Sequence, residues 1–351
     1  MKHVDYIIVG GGISGSVLSY TLMKYGAAVQ LFDCPEQNLS SNVAAGLWNP
    51  IVLKRLKKVW RADEMMEELA TLYPSMEQWS KASFYQSIPI RRVFHSPGEQ
   101  NNWLGLTGNE AFAPYMEDTI APLPEGVIGH HGSAMMKRTG RLHVNTMTKA
   151  VANRLDTQGY YSKEKFDWSK VMRNDEGVEY DGLRAHGIIS CQGAQLAIGG
   201  GQIAQNGFAP VKGEILRIKL DRDIGNECIH QGYFMLGEQN KECSVGATYA
   251  WDGFENGPTA EKRLELEEHM KSVWLGTKQT INHTAGIRPA TKDRRPMVGP
   301  HEHLQHTWIF NGMGSRAVLM TPWLARVLVE HLMYGSELLQ ECLPSRFKAS
   351  S

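Results

Sequence analysis

The first 33 residues constrain the fold more tightly than any other part of the chain. A β-rich run from Val4 to Val9 leads into Gly10-x-Gly12-x-x-Gly15, then an apolar helix, then a second strand ending at Asp33, 18 residues past Gly15. This order predicts a dinucleotide-binding βαβ unit. Gly10 permits the tight turn out of the strand, Gly12 lets backbone approach a pyrophosphate, and Gly15 lets the helix pack closely on the sheet. The helix start at Ile13 and Ser14 brings unpaired N–H groups and partial positive charge to a phosphate. Asp33 can accept hydrogen bonds from a ribose diol. A membrane span would need roughly 20 apolar residues, whereas residues 10–31 carry five glycines with Lys24 and Gln30. A secretory signal fits no better, because the β-strand begins at residue 4.

At 351 residues the chain is long enough for two domains. Lys plus Arg and Asp plus Glu are 37 each, giving net zero charge, which argues against nucleic acid as the main partner. The basic cluster Lys54–Arg61 reads as a solvated helix start or loop. Five cysteines (Cys34, Cys191, Cys228, Cys243 and Cys342) are odd in number and widely spaced, so neither a disulfide framework nor a zinc motif is expected. A reducing cytoplasm is the expected compartment. His130-His131 and His301-x-His303-x-x-His306 lack a companion carboxylate or cysteine, so no metal is expected.

Periodicity predicts helices over 61–82, with a break or kink at Pro74, over 145–159, with Asn145 or Thr146 as cap, over 259–275, with Thr259 as cap, and over 316–334. Residues 84–95 alternate like a strand, and 96–133 read as irregular loop with short strands. Short strands are expected near Val171, Val178 and Leu183, and a buried one at 187–191. Residues 211–220 and 228–251 read as antiparallel sheet. The chain therefore reads as α/β. A nucleotide domain assembled from 1–50, 140–205 and 285–345 interleaves with a substrate domain of 51–139 and 206–284. Such interleaving creates a cleft where ligands bind.

The second distinctive feature is C-terminal: AGIRPATKDRRPMVGP at 285–300 and FNGMGSRAVLMTPW at 310–323. Gly312-Met313-Gly314-Ser315 is a glycine turn between an apolar strand and a helix, a second helix-end site for an anion or dipole. Arg288 stands in an otherwise apolar strand and needs a partner, since an unpaired buried charge is costly. A substrate carboxylate supplies bidentate geometry.

Together with SSNVAAG at 40–46 and CQGA at 191–194, these segments resemble the D-amino-acid oxidase (DAO) superfamily of FAD enzymes, along the whole chain and in order. They look most like glycine oxidase, and a similar module occurs in a bifunctional tRNA-modification enzyme. The resemblance implies an FAD-binding Rossmann-like domain of glutathione-reductase type with an interleaved antiparallel-sheet α+β substrate domain. It implies that Gly10, Gly12 and Gly15 hold the pyrophosphate of noncovalent FAD and that Asp33 holds its ribose. Ser41, Asn42, Ala44, Ala45 and Gly46 would follow the cofactor toward its ring system, with Val171 on the adenine side and Cys191 and Gly193 lining it. Gly312, Met313, Gly314, Ser315, Arg316, Ala317 and Val318 would wrap the flavin's pyrimidine end. Arg288 would clamp the substrate carboxylate, and Tyr249 or Tyr233 would help close the pocket. Trp48 either faces the flavin or fills core, and Cys191 reads as a small buried filler.

The implied activity is oxidation of a small amine or amino acid bearing a carboxylate, by hydride transfer to flavin N5. Molecular oxygen or another acceptor would take the electrons. Two other readings remain open on sequence: an FAD enzyme acting on a carboxymethylamine group of tRNA, and a non-catalytic flavin-binding protein. NAD(P) alone fits less well, because it needs neither the C-terminal glycine turn nor the AAG segment. Oligomeric state is open, a homo-oligomer included.

Overall fold

The polypeptide, here a computed structural model, is described over residues 1–35, 40–199, 203 and 205–347. The expected domain segments 1–50 and 140–205 run across stretches outside that range, but no expected site residue does. The glycine turn lies where predicted. Tyr6–Val9 feeds helix α1 (Ile13–Lys24), which returns to the strand Val29–Asp33. These strands belong to a six-stranded sheet in the order Tyr161–Lys163, Val29–Asp33, Tyr6–Val9, Gly187–Ser190, Thr307–Asn311, Met297–Pro300. All its neighbours are parallel except the last pair. Its strands come from the start, the middle and the end of the chain.

A seven-stranded sheet holds the intervening material, in the order Lys278–Arg288, Val211–Leu220, Glu242–Gly246, Tyr233–Gly237, Cys228–Gln231, Ile90–Val93, Ser133–Met136. It is antiparallel, as its alternation predicts, except that Cys228–Gln231 runs parallel to Ile90–Val93.

Helix α2 (Ala62–Ser80) runs on through Pro74 without interruption. Met65, Met66, Leu69, Leu72, Tyr73 and Met76 bury its inner face on both sides of the proline, and that burial outweighs one missing backbone bond. Helix α3 (Pro97–Thr107) occupies a stretch that reads as loop. Its signal was present as Ser96-Pro97-x-Glu99: the Ser96 hydroxyl accepts from the Glu99 N–H, and proline fills the first helical position. Helix α4 (Val144–Asp156) starts one residue early, with His143 rather than Asn145 or Thr146 at its cap. The short α5 spans Ala194–Gly199. Thr259 caps α6 (Ala260–Val273), as expected. The final helix α7 (Ala317–Tyr334) ends on Gly335 at φ 72°. Helices α1, α2, α4 and α7 share the largest apolar core, and the Tyr73 hydroxyl donates to the Val318 carbonyl at 2.8 Å, fixing the start of α7. No helix among the described residues is long and apolar enough to cross a membrane.

The first turn has no room for side chains. A Cβ on Gly15 would stand 1.8 Å from the Gly10 carbonyl oxygen, and one on Gly10, at φ 102°, 2.7 Å from the Cys191 carbonyl oxygen. Gly15→Ala is therefore expected to cost about 3 kcal/mol and to lower the calorimetric midpoint of unfolding by several degrees. An unchanged midpoint would mean that α1 does not need this close approach.

Candidate active site

The seven-stranded sheet, residues 40–54, the turn at 191–194 and the N-termini of α1 and α7 line a cavity of about 830 Å³. Gly12, Ile13 and Ser14 form one wall at the start of α1, and Met313 to Val318 form another at the start of α7. Neither helix has a side-chain cap from its own N-cap residue, so each turns a positive dipole end to the cavity. Cross-links hold the walls in register. The Ser41 hydroxyl accepts from the Ile13 N–H at 3.2 Å, the Ser14 hydroxyl reaches the Met313 sulfur at 3.7 Å, and the Asn311 amide donates to the Gly193 carbonyl at 3.0 Å. A much smaller pocket, lined by Gly10, Asp33, Glu164 and Phe166 among others, shares Gln192 with the large one. Asp33 is buried there and accepts from the Gly11 N–H at 2.8 Å.

Most of the expected cofactor residues meet at this place. Ser41, Ala44, Ala45, Gly46, Cys191 and Gly193 line the large cavity. Gly10 and Asp33 line the small pocket instead, and Gly15, Asn42, Val171 and Gly312 line neither. Asn42 donates to the Pro35 carbonyl at 3.1 Å. Gly312, at φ 82°, packs against the Met297 backbone, where a Cβ would come within 2.9 Å of its nitrogen. Val171 lines neither cavity. It packs against the apolar cluster on the other side of the first strand, and Phe166 takes the place beside Asp33. The Val171 assignment rested on resemblance alone, in a stretch of weak periodicity. Trp48, expected either to face the flavin or to fill core, is buried, lines the cavity and stacks on Tyr85 with ring centroids 4.8 Å apart. Burial pushes the Cys191 thiol well above its ordinary range, consistent with a packing role.

Arg288 ends the strand Lys278–Arg288 and lies in the cavity wall. Its Nη1 donates to the Thr248 carbonyl at 3.2 Å, and its guanidinium sits 4.7 Å from the Tyr249 ring centroid. The guanidinium fits only because residue 213 on the neighbouring strand is glycine. A Cβ there would fall 2.1 Å from Nη2. Tyr249 is 54% exposed at the cavity edge. Tyr233 also lines the cavity, but its hydroxyl donates to Glu265 on α6, and burial followed by that carboxylate pushes its pKa up.

Charge in the cavity is one-sided. Among the described residues Lys54, Arg92, Arg288 and Arg316 line it, and no Asp or Glu does. Arg92 is neutralised by Glu99. Among the described residues, Arg288 and Arg316 have no acidic partner.

The sequence reading missed Arg92 and His230. Arg92 Nη1 meets His230 Nδ1 at 2.8 Å. A guanidinium only donates, so Nδ1 accepts and the imidazole proton belongs on Nε2. Burial first, then the Arg92 charge, lowers the His230 pKa from 6.5 to about 3. Only the fold pairs residues so distant in sequence. Among the described residues no group of three or more His, Cys, Asp or Glu side chains could hold a metal ion.

The profile of the DAO family, described as FAD dependent oxidoreductase, matches residues 5–331. The chain belongs to this family. It is 23% identical to glycine oxidase of Pseudomonas aeruginosa, over 94% of this chain and 95% of that protein. Its fold matches the crystal structure of iminodiacetate oxidase from a Chelativorans species with TM-score 0.78 at 19% identity, covering 97% and 98% of the two chains. It also matches glycine oxidase from Geobacillus kaustophilus with TM-score 0.72 at 18% identity, covering 96% of each.

FAD is the family's cofactor, and the residues present fit it. An acid at one end, backbone amides at a glycine turn and a second open helix end lie along two cavities with a shared wall. Cavity and donors together suit a long, doubly phosphorylated ligand.

The His230 environment has a consequence for stability. Its folded pKa lies below the ordinary value, so below pH 6.5 the unfolded chain takes up a proton that the native state refuses. Stability therefore falls as pH drops from 6.5 toward about 3, by as much as roughly 1.4 kcal/mol per pH unit from this group. Denaturant titrations at several pH values should show a shallower acid-side loss for His230→Gln than for the parent; parallel curves would contradict the assignment.

Proposed function

We propose that this protein oxidises the C–N bond of a small amine bearing a carboxylate, the substrate class named for its glycine oxidase and iminodiacetate oxidase relatives. The observation that carries this reading is Arg288, a guanidinium in the cavity wall that has no acidic partner among the described residues, none of which brings a carboxylate to that wall. Bound there, FAD supplies the hydride acceptor. Arg288 holds the substrate carboxylate through paired N–H donors, and Gly213 leaves the space for it. Tyr249 supports the guanidinium face, and Tyr233 shapes the wall, with its hydroxyl engaged by Glu265.

The described residues of the cavity offer no carboxylate to take a proton, and burial, then the Arg92 charge, keeps His230 neutral. The substrate amine therefore reacts as the free base, and the protein contributes position and polarity. The imine product hydrolyses in water, and molecular oxygen or another acceptor takes the electrons. FAD is held without a covalent link. The segments that build the six-stranded sheet form the cofactor domain, and those of the seven-stranded sheet form the substrate domain. Net zero charge gives an RNA substrate no attracting field.

Purified protein should be yellow, release its flavin on denaturation, and lose its visible absorbance anaerobically with glycine, sarcosine, a D-amino acid or iminodiacetate. If no carboxylated amine bleaches it, the oxidase reading fails. Arg288→Gln should lower kcat/KM by about 100-fold or more, or roughly 2.7 kcal/mol. Near-parental values would remove Arg288 from the carboxylate role.

A further inference from the structure

The charge pattern goes further than one carboxylate. We propose that the substrate carries a second acidic group and that Arg316 binds it. This inference rests on the oxidase reading and narrows its substrate class to small amines with two acid groups.

Arg316 is the residue immediately before α7, and it lines the large cavity. Its hydrogen bond is a long one, from Nη1 to the Asn49 carbonyl at 3.5 Å. Burial lowers its pKa from the ordinary value, which signals a charge drawn away from water. The position is unfavourable in a second way. A cation at a helix N-terminus faces the positive end of the dipole, where an anion is stabilised, and α7 has no side-chain cap there. A partly desolvated guanidinium without a carboxylate, placed at the wrong end of a helix, destabilises the empty site. An incoming anion relieves this, because it pairs with the guanidinium and offsets its charge beside the helix end.

The same anion need not be the one on Arg288. The Arg288 guanidinium packs on the Tyr249 ring, and Tyr249 lines the same cavity as both arginines. They come from different walls, however. Arg288 comes from the strand Lys278–Arg288 and Arg316 from the turn ahead of α7. A single carboxylate is satisfied by one bidentate guanidinium. A diacid satisfies both, and Lys54 adds a further positive charge to the lining.

The test uses FAD-loaded protein and two ligands that cannot be oxidised at nitrogen. Oxydiacetate carries two carboxylates about an ether oxygen, and methoxyacetate carries one. Affinities are read from perturbation of the flavin spectrum and by calorimetry. Oxydiacetate should bind at least about tenfold tighter than methoxyacetate, and Arg316→Gln should collapse that ratio toward one. Arg316→Lys, which keeps the charge, should retain part of it. A parental ratio near one, or no binding of either ligand, overturns the proposal. So does an equal loss for both ligands in the Gln variant, which would mark Arg316 as a partner of the first carboxylate or of the flavin. Anaerobic bleaching separates this from the oxidase reading. Monocarboxylate amines that bleach the flavin while the ratio stays near one sink only the second-acid site. An Arg316-dependent ratio with no bleaching by any amine sinks only the oxidase.

Discussion

Close backbone contact at the first turn is the constraint on which the rest depends. The carbonyl of Gly10 occupies the space that a Gly15 side chain would need, and the carbonyl of Cys191 does the same for Gly10. Three segments far apart in sequence meet there: the turn itself, the start of α1, and the end of the strand Gly187–Ser190. Only with that contact made do Gln192 and Gly193 reach the wall of the large cavity, and only then does Gly193 accept from Asn311. The glycine turn at 312–314 is thereby tied to the one at 10–15, and a cofactor spanning both finds its two ends at a fixed separation.

The second theme is charge that the protein does not neutralise for itself. Elsewhere the interior pairs its ions: Arg141 with Glu238, Lys212 with Glu214. In the cavity wall Arg288 and Arg316 have no such partner among the described residues. Removing an ion from water without compensation costs several kcal/mol, so a fold that does this at two neighbouring positions keeps them for a ligand. The same logic explains why the FAD phosphates and an acidic substrate can share one cavity. Both are anions, and every charged side chain in the wall is a cation or a neutralised one.

Much of this was legible in the sequence because it is encoded locally. The glycine spacing, the acid at position 33, the Thr259 cap and the lone arginine in GIRPATKD each announce themselves within a few residues. What could not be read is what requires the third dimension. The pairing of Arg92 with His230 spans 138 positions. Val171 shows the limit of resemblance: it packs against an apolar cluster and lines neither cavity, while Phe166 of that cluster lines the pocket that holds Asp33. Pro74 shows another limit, since local propensity lost to the burial of an entire helix face. Helix α3 is different, because its Ser96–Glu99 box was in plain sight within a stretch whose Gly, Pro and Asn content pointed to loop.

The strand Val211–Leu220 joins these themes. Gly213 makes room for the Arg288 guanidinium, and the residues on either side of it are a buried ion pair. Lys212 donates to the carbonyls of Gly253 at 3.1 Å and Gly257 at 2.8 Å. Glu214 accepts from the Thr259 N–H at 2.8 Å and from its hydroxyl at 3.0 Å, while its own N–H donates to the Thr248 hydroxyl. The loop carrying Thr248 and Tyr249, the two contacts of Arg288, is thus held at one end by the Glu214 backbone N–H and at the other by the Lys212 and Glu214 side chains. A buried ion pair contributes little net stability, but one removed from bulk water and satisfied by backbone groups on every side holds geometry well. The arginine is therefore positioned before any ligand arrives, and the ordering cost that would otherwise weaken carboxylate binding is met during folding.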